Sequence, residues 1–201
     1  MGMEDFRRRF LQDENYFPQG MQSQSNLSID TRYGRPKNVP VGTRWDTRQE
    51  CSEAGVHKPT VAGINGSKDG AFSIVMSGGY EDADDGDTFV YIGTGGKRDS
   101  AFGASGQQVA DQTMDHPHNQ YLQKSCDKGN HVRVVRGPNS NSPWAPMQGY
   151  RYDGLYTVTE AWEDKGIEGF KVCKFRFVRN PGQPPLKRTI GTAAKRTRKT
   201  S

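Results

Sequence analysis

The densest run of residues able to do chemistry lies between Ser77 and Gly96, S-G-G-Y-E-D-A-D-D-G-D-T-F-V-Y-I-G-T-G-G. It has three parts. Ser77, Gly78 and Gly79 carry almost no side chain, so a flat ligand can approach their backbone closely. Tyr80 and Tyr91 flank an acidic turn, a spacing that suits a hairpin-like return with two rings brought face to face. Two parallel rings make a slot for a planar base, each stacked face contributing roughly 1–3 kcal/mol. Asp82, Asp84, Asp85 and Asp87 place carboxylates beside that slot. A carboxylate accepts a hydrogen bond from the exocyclic amine of cytosine and repels the carbonyl that thymine presents at the same place. Slot and acceptor together describe a cytosine pocket. Three other readings fit the same residues: a calcium loop, although the spacing departs from the EF-hand pattern; the paired carboxylates of a hydrolase; and an ordinary acidic turn with two core tyrosines.

The elements that must position this cluster are short. Phe72–Met76, Thr88–Ile92, Val132–Arg136, Leu155–Trp162 and Phe170–Val178 are rich in Val, Phe, Tyr and Thr and bounded by Gly or Asp, which predicts strands. In the longest, Leu155, Thr157, Thr159 and Ala161 take one face and Tyr156, Val158 and Trp162 the other, so both faces can be covered, as in a curled sheet or barrel. A helix is predicted over Asn119–Ser125, after the break at Pro117. The expected class is α+β: a strongly curved, barrel-like sheet with flanking helices. Phe6, Phe10 and Phe17, near helical spacing beside Arg7-Arg8-Arg9, suggest a short amphipathic helix in an entry segment, residues 1–31. The composition changes near Val39 and again after Val178, where Pro181, Pro184 and Pro185 end the ordered middle. The domain is therefore expected over 32–184, followed by a basic tail, 185–201.

Composition narrows the class. At 201 residues there is room for one domain with a real core and tails. No apolar run approaches the roughly 20 residues that span a bilayer, and no signal-peptide pattern stands at the N-terminus, so the expectation is a soluble intracellular protein without a membrane partner. Cys51, Cys126 and Cys173 are far apart and form no C-x-x-C pair, which argues against a zinc finger, a zinc deaminase or a disulfide scaffold. His57, His116, His118 and His131 are not at metal-ligand spacing. No metal, no other cofactor and no catalytic centre is expected. The net charge of +5 is uneven: Lys187, Arg188, Lys195, Arg196, Arg198 and Lys199 lie in the last fifteen residues with no acid among them. Such a tail reads as a nuclear import signal, a phosphate clamp or a solvated end.

Several longer motifs carry a resemblance. V-P-V-G-T-R-W (Val39–Trp45), G-V-H-K-P-T-V-A-G-I-N-G (Gly55–Gly66), D-G-A-F-S-I-V-M-S-G-G-Y-E-D (Asp69–Asp82), V-R-V-V-R-G (Val132–Gly137) and Y-R-Y-D-G-L-Y (Tyr150–Tyr156) closely resemble the SET- and RING-associated (SRA, or YDG) domain of methyl-DNA readers, over about residues 34–184. The resemblance implies an SRA/PUA-like crescent that grips double-stranded DNA and extrudes one 5-methylcytosine, in hemi- or fully methylated CpG, with a nuclear location. It implies a role in maintaining DNA methylation or regulating chromatin, with a DNA methyltransferase or chromatin proteins as further partners. It assigns Tyr80 and Tyr91 to the stacking rings. Ser77, Gly78 and Gly79 fall to the niche for the 5-methyl group, and an acid after Tyr80 to the cytosine amine. Val61 becomes the tip that enters the minor groove, and Arg48 and Lys58 lie near phosphates. Tyr152, Asp153 and Gly154, the family signature, read physically as a structural turn and strand start.

Departures matter too. The acidic turn is one residue shorter than the family's common form and Ala83 stands where a third consecutive acid is usual, so Asp84 or Asp82 must reach the amine, with Asp84 preferred. Ile92 replaces a frequent threonine, leaving its backbone to serve. The loop Gly95–Gln112 lacks the Asn-Lys-Arg finger of members that prefer hemimethylated sites; Lys97, Arg98, Gln107 and Gln108 are its candidate donors to base edges or phosphates. Two alternatives stay open: a modification-dependent enzyme using the aspartates, and a protein-interaction scaffold whose slot no longer functions.

Overall fold

The computed structural model describes residues 32–77, 84–98, 106–139 and 141–189. The expected helix around Phe6, Phe10 and Phe17 lies outside them. All described residues belong to the second of two units, Thr31–Ser201.

In chain order this unit contains β1 (Arg44–Trp45), α1 (Arg48–Glu53), β2 (Ile64–Ser67), β3 (Gly70–Met76), β4 (Thr88–Ile92), α2 (Pro117–Lys128), β5 (His131–Arg136), β6 (Tyr150–Lys165) and β7 (Lys171–Arg179). The strands form one seven-stranded sheet in the order β2-β3-β5-β6-β7-β4, with β1 added on β6. Only β3 and β5 run parallel; the excursion between them carries β4 and α2. The architecture is α+β.

The apolar side chains of β3, β4, β5, β6 and β7 fill one interior. Phe89 stacks on Phe177 at 4.9 Å and 7°, as their direct pairing across β4 and β7 requires. α2 closes this side with Leu122 and Cys126. Its start is set by Pro117 in the first turn behind the capping residue His116, and its end by Gly129 at φ 68°. On the other face Val75, Val135 and Tyr152 meet Cys51 and Val56 from α1 and the residues after it. Thr47 caps α1 by accepting from the Glu50 amide. With a cluster on each side, every residue of β3 is buried.

The sheet is curled and not closed, which fits the expected class of a strongly curved, barrel-like sheet. Along the ladder, β2 and β4 are the two ends. β2 has four residues and a register break between Asn65 and Gly66, too short and too kinked to give β4 a continuous partner. The curl nevertheless brings the ends near one another. Tyr91 of β4 holds its hydroxyl 3.5 Å from the carbonyl oxygen of Val75 in β3.

Candidate nucleic-acid interface

Three segments are expected to form the interface: the 58–62 loop, the acidic turn before β4, and the Gly95–Gln112 loop after it.

The first is fixed by buried polar groups. Arg48, on α1, donates from Nη2 to the carbonyls of Pro59 at 2.9 Å and Ala62 at 2.5 Å. His57 is fully buried between the Ser73 hydroxyl, 2.8 Å from Nδ1, and the Ala62 carbonyl, 3.0 Å from Nε2. Ser52 donates to the Lys58 carbonyl at 2.6 Å. Burial pushes the His57 imidazole down to about 4, against the Ala62 hydrogen bond that favours its charged form. It therefore stays neutral near neutral pH, with Nε2–H donating to the Ala62 carbonyl and Nδ1 accepting from the Ser73 hydroxyl. These bonds tie both ends of a short loop whose tip, Val61, is 77% exposed. An apolar side chain held bare in water by five hydrogen bonds to its flanking segment is not explained by packing. Lys58 is exposed beside it. Arg48 departs from its expected place near phosphates. Its guanidinium is spent on two loop carbonyls and lies 5.8 Å from the Tyr150 ring, so it shapes the loop from behind.

The acidic turn is anchored by a buried charge network. Arg136, at the end of β5, donates to Asp153 through Nη1 and to Asp84 through Nη2 at 2.6 Å. Its side chain is 1% exposed, those of Asp84 and Asp153 4% and 0%. Arg151 closes the far side with a 2.5 Å bond from Nε to Asp153. Burial alone would lower the Arg136 guanidinium; the carboxylates of Asp153 and Asp84 outweigh it and raise its pKa. Asp84 also accepts from the Ser142 hydroxyl at 2.5 Å and the Gly86 amide at 2.9 Å. Both its oxygens are thus engaged inside the protein, which corrects the preference for Asp84 as the cytosine acceptor. Charge in a low-dielectric setting is held where it is paired, and Asp84 is paired with Arg136.

Asp153 reaches that network because β6 bulges. The register against β5 passes from Val134↔Gly154 to Val135↔Tyr152, leaving Asp153 unpaired. Gly154 sits at φ 106°, and a Cβ there would strike Gln183. The Tyr152-Asp153-Gly154 signature is therefore a bulge within a long strand rather than a turn at its start.

Tyr91, expected as a stacking ring, is 7% exposed, belongs to the hydrophobic core cluster and meets Phe177 edge-on at 6.1 Å. A Cβ on Gly63 would come within 2.8 Å of its hydroxyl, so the glycine admits the ring tip. Ile92, next along β4, is buried, and Ser77 is exposed at the end of β3. Gly78, Gly79, Tyr80 and Asp82 lie outside the described residues.

The described ends of the Gly95–Gln112 loop are bolted to the sheet by buried amides, of which motif reading named only Gln108, and in another role. Asn119 of α2 donates to the carbonyls of Thr94 and Thr113 and accepts from the Thr94 amide. Gln112 donates to Gly93 at 3.1 Å and accepts from the Cys173 amide at 3.0 Å. Gln108 is among these bolts. It is 7% exposed and its amide group donates to Gly95 and Ala110, which removes it from the candidate base contacts. Lys97 is half-buried; desolvation lowers its pKa while Glu168 works against that. Arg98 and Gln107 are exposed and joined by a backbone hydrogen bond of 3.2 Å. Buried Asn and Gln in polar loops leave little trace in a sequence; the only signal was amides inside otherwise helical or strand-like runs.

The comparisons with known proteins give the family. The SAD/SRA domain model matches residues 32–183, and the chain belongs to that family. It is 43% identical over 163 residues to a UHRF1-like protein of Cryptococcus neoformans var. grubii, covering 77% of this chain and 48% of the relative. Among solved structures it resembles the SUVH5 SRA domain bound to fully hydroxymethylated CG DNA, with a TM-score of 0.65, 38% identity, and 77% of this chain against 98% of that one. It also resembles the modification-dependent TagI restriction endonuclease, with a TM-score of 0.68, 38% identity, and 73% of this chain against 52% of that one. The chain spans about half the length of the fungal relative.

Proposed function

We propose that this chain reads 5-methylcytosine in duplex DNA, taking the base out of the stack into a slot between Tyr91 and Tyr80 while Val61 fills the gap left behind. The observation that carries the reading is the tied-down loop with a bare valine at its tip, followed by Gly63, which leaves room for the Tyr91 hydroxyl. Extrusion costs a few kcal/mol; two stacked rings and a filled gap offset that. With Asp84 engaged by Arg136, Asp82 is the acid for the cytosine amine, and Ser77, Gly78 and Gly79 shape the methyl niche. Arg98 and Gln107 are the outward donors of the major-groove loop, and Lys58 lies at the minor-groove side. The reading places the chain in the nucleus as a binding module acting in methylation maintenance or chromatin regulation.

Discrimination rests on one methyl group, worth about 1 kcal/mol by transfer plus the cost of an unfilled niche. Selectivity should therefore be on the order of tenfold to a few hundredfold. Titration of a short CpG duplex in unmethylated, hemimethylated and fully methylated forms, at fixed salt, tests this. Tyr80→Ala should abolish the methylation preference and keep the salt-dependent background. Equal affinity of the unaltered protein for all three duplexes overturns the reading.

A second reading, DNA cleavage by the aspartates, is favoured by the likeness to TagI. Against it, Asp84 has both oxygens bound within the protein, and among the described residues no three His, Cys, Asp or Glu side chains are grouped to hold a metal ion. Methylated DNA left intact after long incubation with Mg²⁺ removes it.

A further inference from the structure

Away from the base site, Arg44, Met147, Gln148, Lys187, Arg188 and Thr189 line an open groove of about 520 Å³. Three of the six are cations and none is an acid. Among the described residues none of the three cations pairs with a carboxylate, and all are exposed. The groove is built rather than incidental. The segment carrying Lys187 and Arg188 is pinned by Thr189, whose amide donates to Pro143 at 2.7 Å and whose hydroxyl donates to Ala145 at 2.5 Å. Arg188 lies 4.8 Å from the Trp144 ring, which leaves its guanidinium edge outward. Arg151 of the buried charge network donates to the Trp144 carbonyl at 2.6 Å. Arg44, which also lines the groove, precedes Trp45, paired with Tyr150 across β1 and β6.

We infer that this groove is a phosphate-binding track that holds the DNA backbone beyond the extruded base; the inference rests on the methyl-DNA reading and adds a second contact region to it. An open trough with two guanidiniums and an ammonium suits a chain of evenly spaced, singly charged oxyanions. Contacts of this kind position a duplex without reading it. The groove therefore raises affinity for methylated and unmethylated DNA alike.

The test is the salt dependence of duplex binding by the full chain, from about 50 to 200 mM. Replacing Arg44, Lys187 and Arg188 together by Ala should make the slope of log K against log salt shallower by about 2–3. The ratio between methylated and unmethylated duplexes should stay at its original value. Because Arg188 covers Trp144, the pair Arg44→Ala and Lys187→Ala keeps that stack and should lower the slope by about 2. An unchanged slope in both variants overturns the inference. So does a polyglutamate peptide that binds the original protein and not the variants while the DNA slope stays fixed, for that assigns the groove to an acidic peptide. If the unaltered protein shows no methylation preference yet the slopes fall as stated, the base-reading proposal fails and the phosphate track stands.

Discussion

Arg136 joins parts of the chain that are far apart in sequence: the end of β5, the acidic turn at Asp84 and the β6 bulge at Asp153. Removing one partner from such a buried set leaves a charge with no compensation, which costs about 3–5 kcal/mol. Asp153→Asn should lower the urea midpoint accordingly, and Ser142→Ala, which removes one hydrogen bond to Asp84, should cost only about 1 kcal/mol. Near-equal losses for the two would contradict the network. His57 gives a pH signature at the same scale. Its folded pKa of about 4 lies below the unfolded value. Its contribution is therefore full above the unfolded pKa near 6.5 and is lost as pH falls from there toward 4. Unfolding free energy should drop by roughly 2 kcal/mol between pH 7 and pH 5, and His57→Gln should flatten that slope whatever it does to absolute stability.

Among the elements, the 58–62 loop separates binding from stability most cleanly. Val61 is largely exposed in the free protein, so Val61→Gly should change stability by no more than about 0.5 kcal/mol while weakening binding to the methylated duplex. Arg48→Met should do the reverse in part: it releases the Pro59 and Ala62 carbonyls, lowers the melting temperature and weakens binding through a loosened tip. A Val61→Gly protein that binds methylated DNA as before would remove the gap-filling role. The strands themselves were legible in outline. Thr88–Ile92 matches its predicted bounds, and Asn119–Ser125 sits inside the observed α2. β1, β2 and α1 were not foreseen, because each is short and held by partners distant in sequence, not by its own periodicity. The bolting roles of Gln108, Gln112 and Asn119 were equally hidden, since an amide's value as a bolt depends on which backbone groups the fold leaves without partners.

For the whole molecule, a ligand that binds only the folded state stabilises it by mass action. A methylated duplex at one hundred times its dissociation constant should add about 2.7 kcal/mol, or roughly 5–10 °C in melting temperature for a unit of this size. The unmethylated duplex at the same concentration should raise it less, and a thermal scan with each checks this. A larger shift with unmethylated DNA would place the main contact outside the base slot.

What the sequence determined by itself was family and class: ordered motifs from Val39 to Tyr156 and alternating strands, all properties of local order along the chain. Only the tertiary structure decided which charges remain available to a ligand. Asp84 and Arg48 match positions of a DNA contact in sequence, yet one closes an ion pair with Arg136 and the other clasps the Val61 loop. The reason is that a charged group's role is set by the partners it meets on burial, and those partners come from β5 and from the far end of a loop. The openness of the sheet was decided in the same way, by the shortness of β2 rather than by any residue in β4.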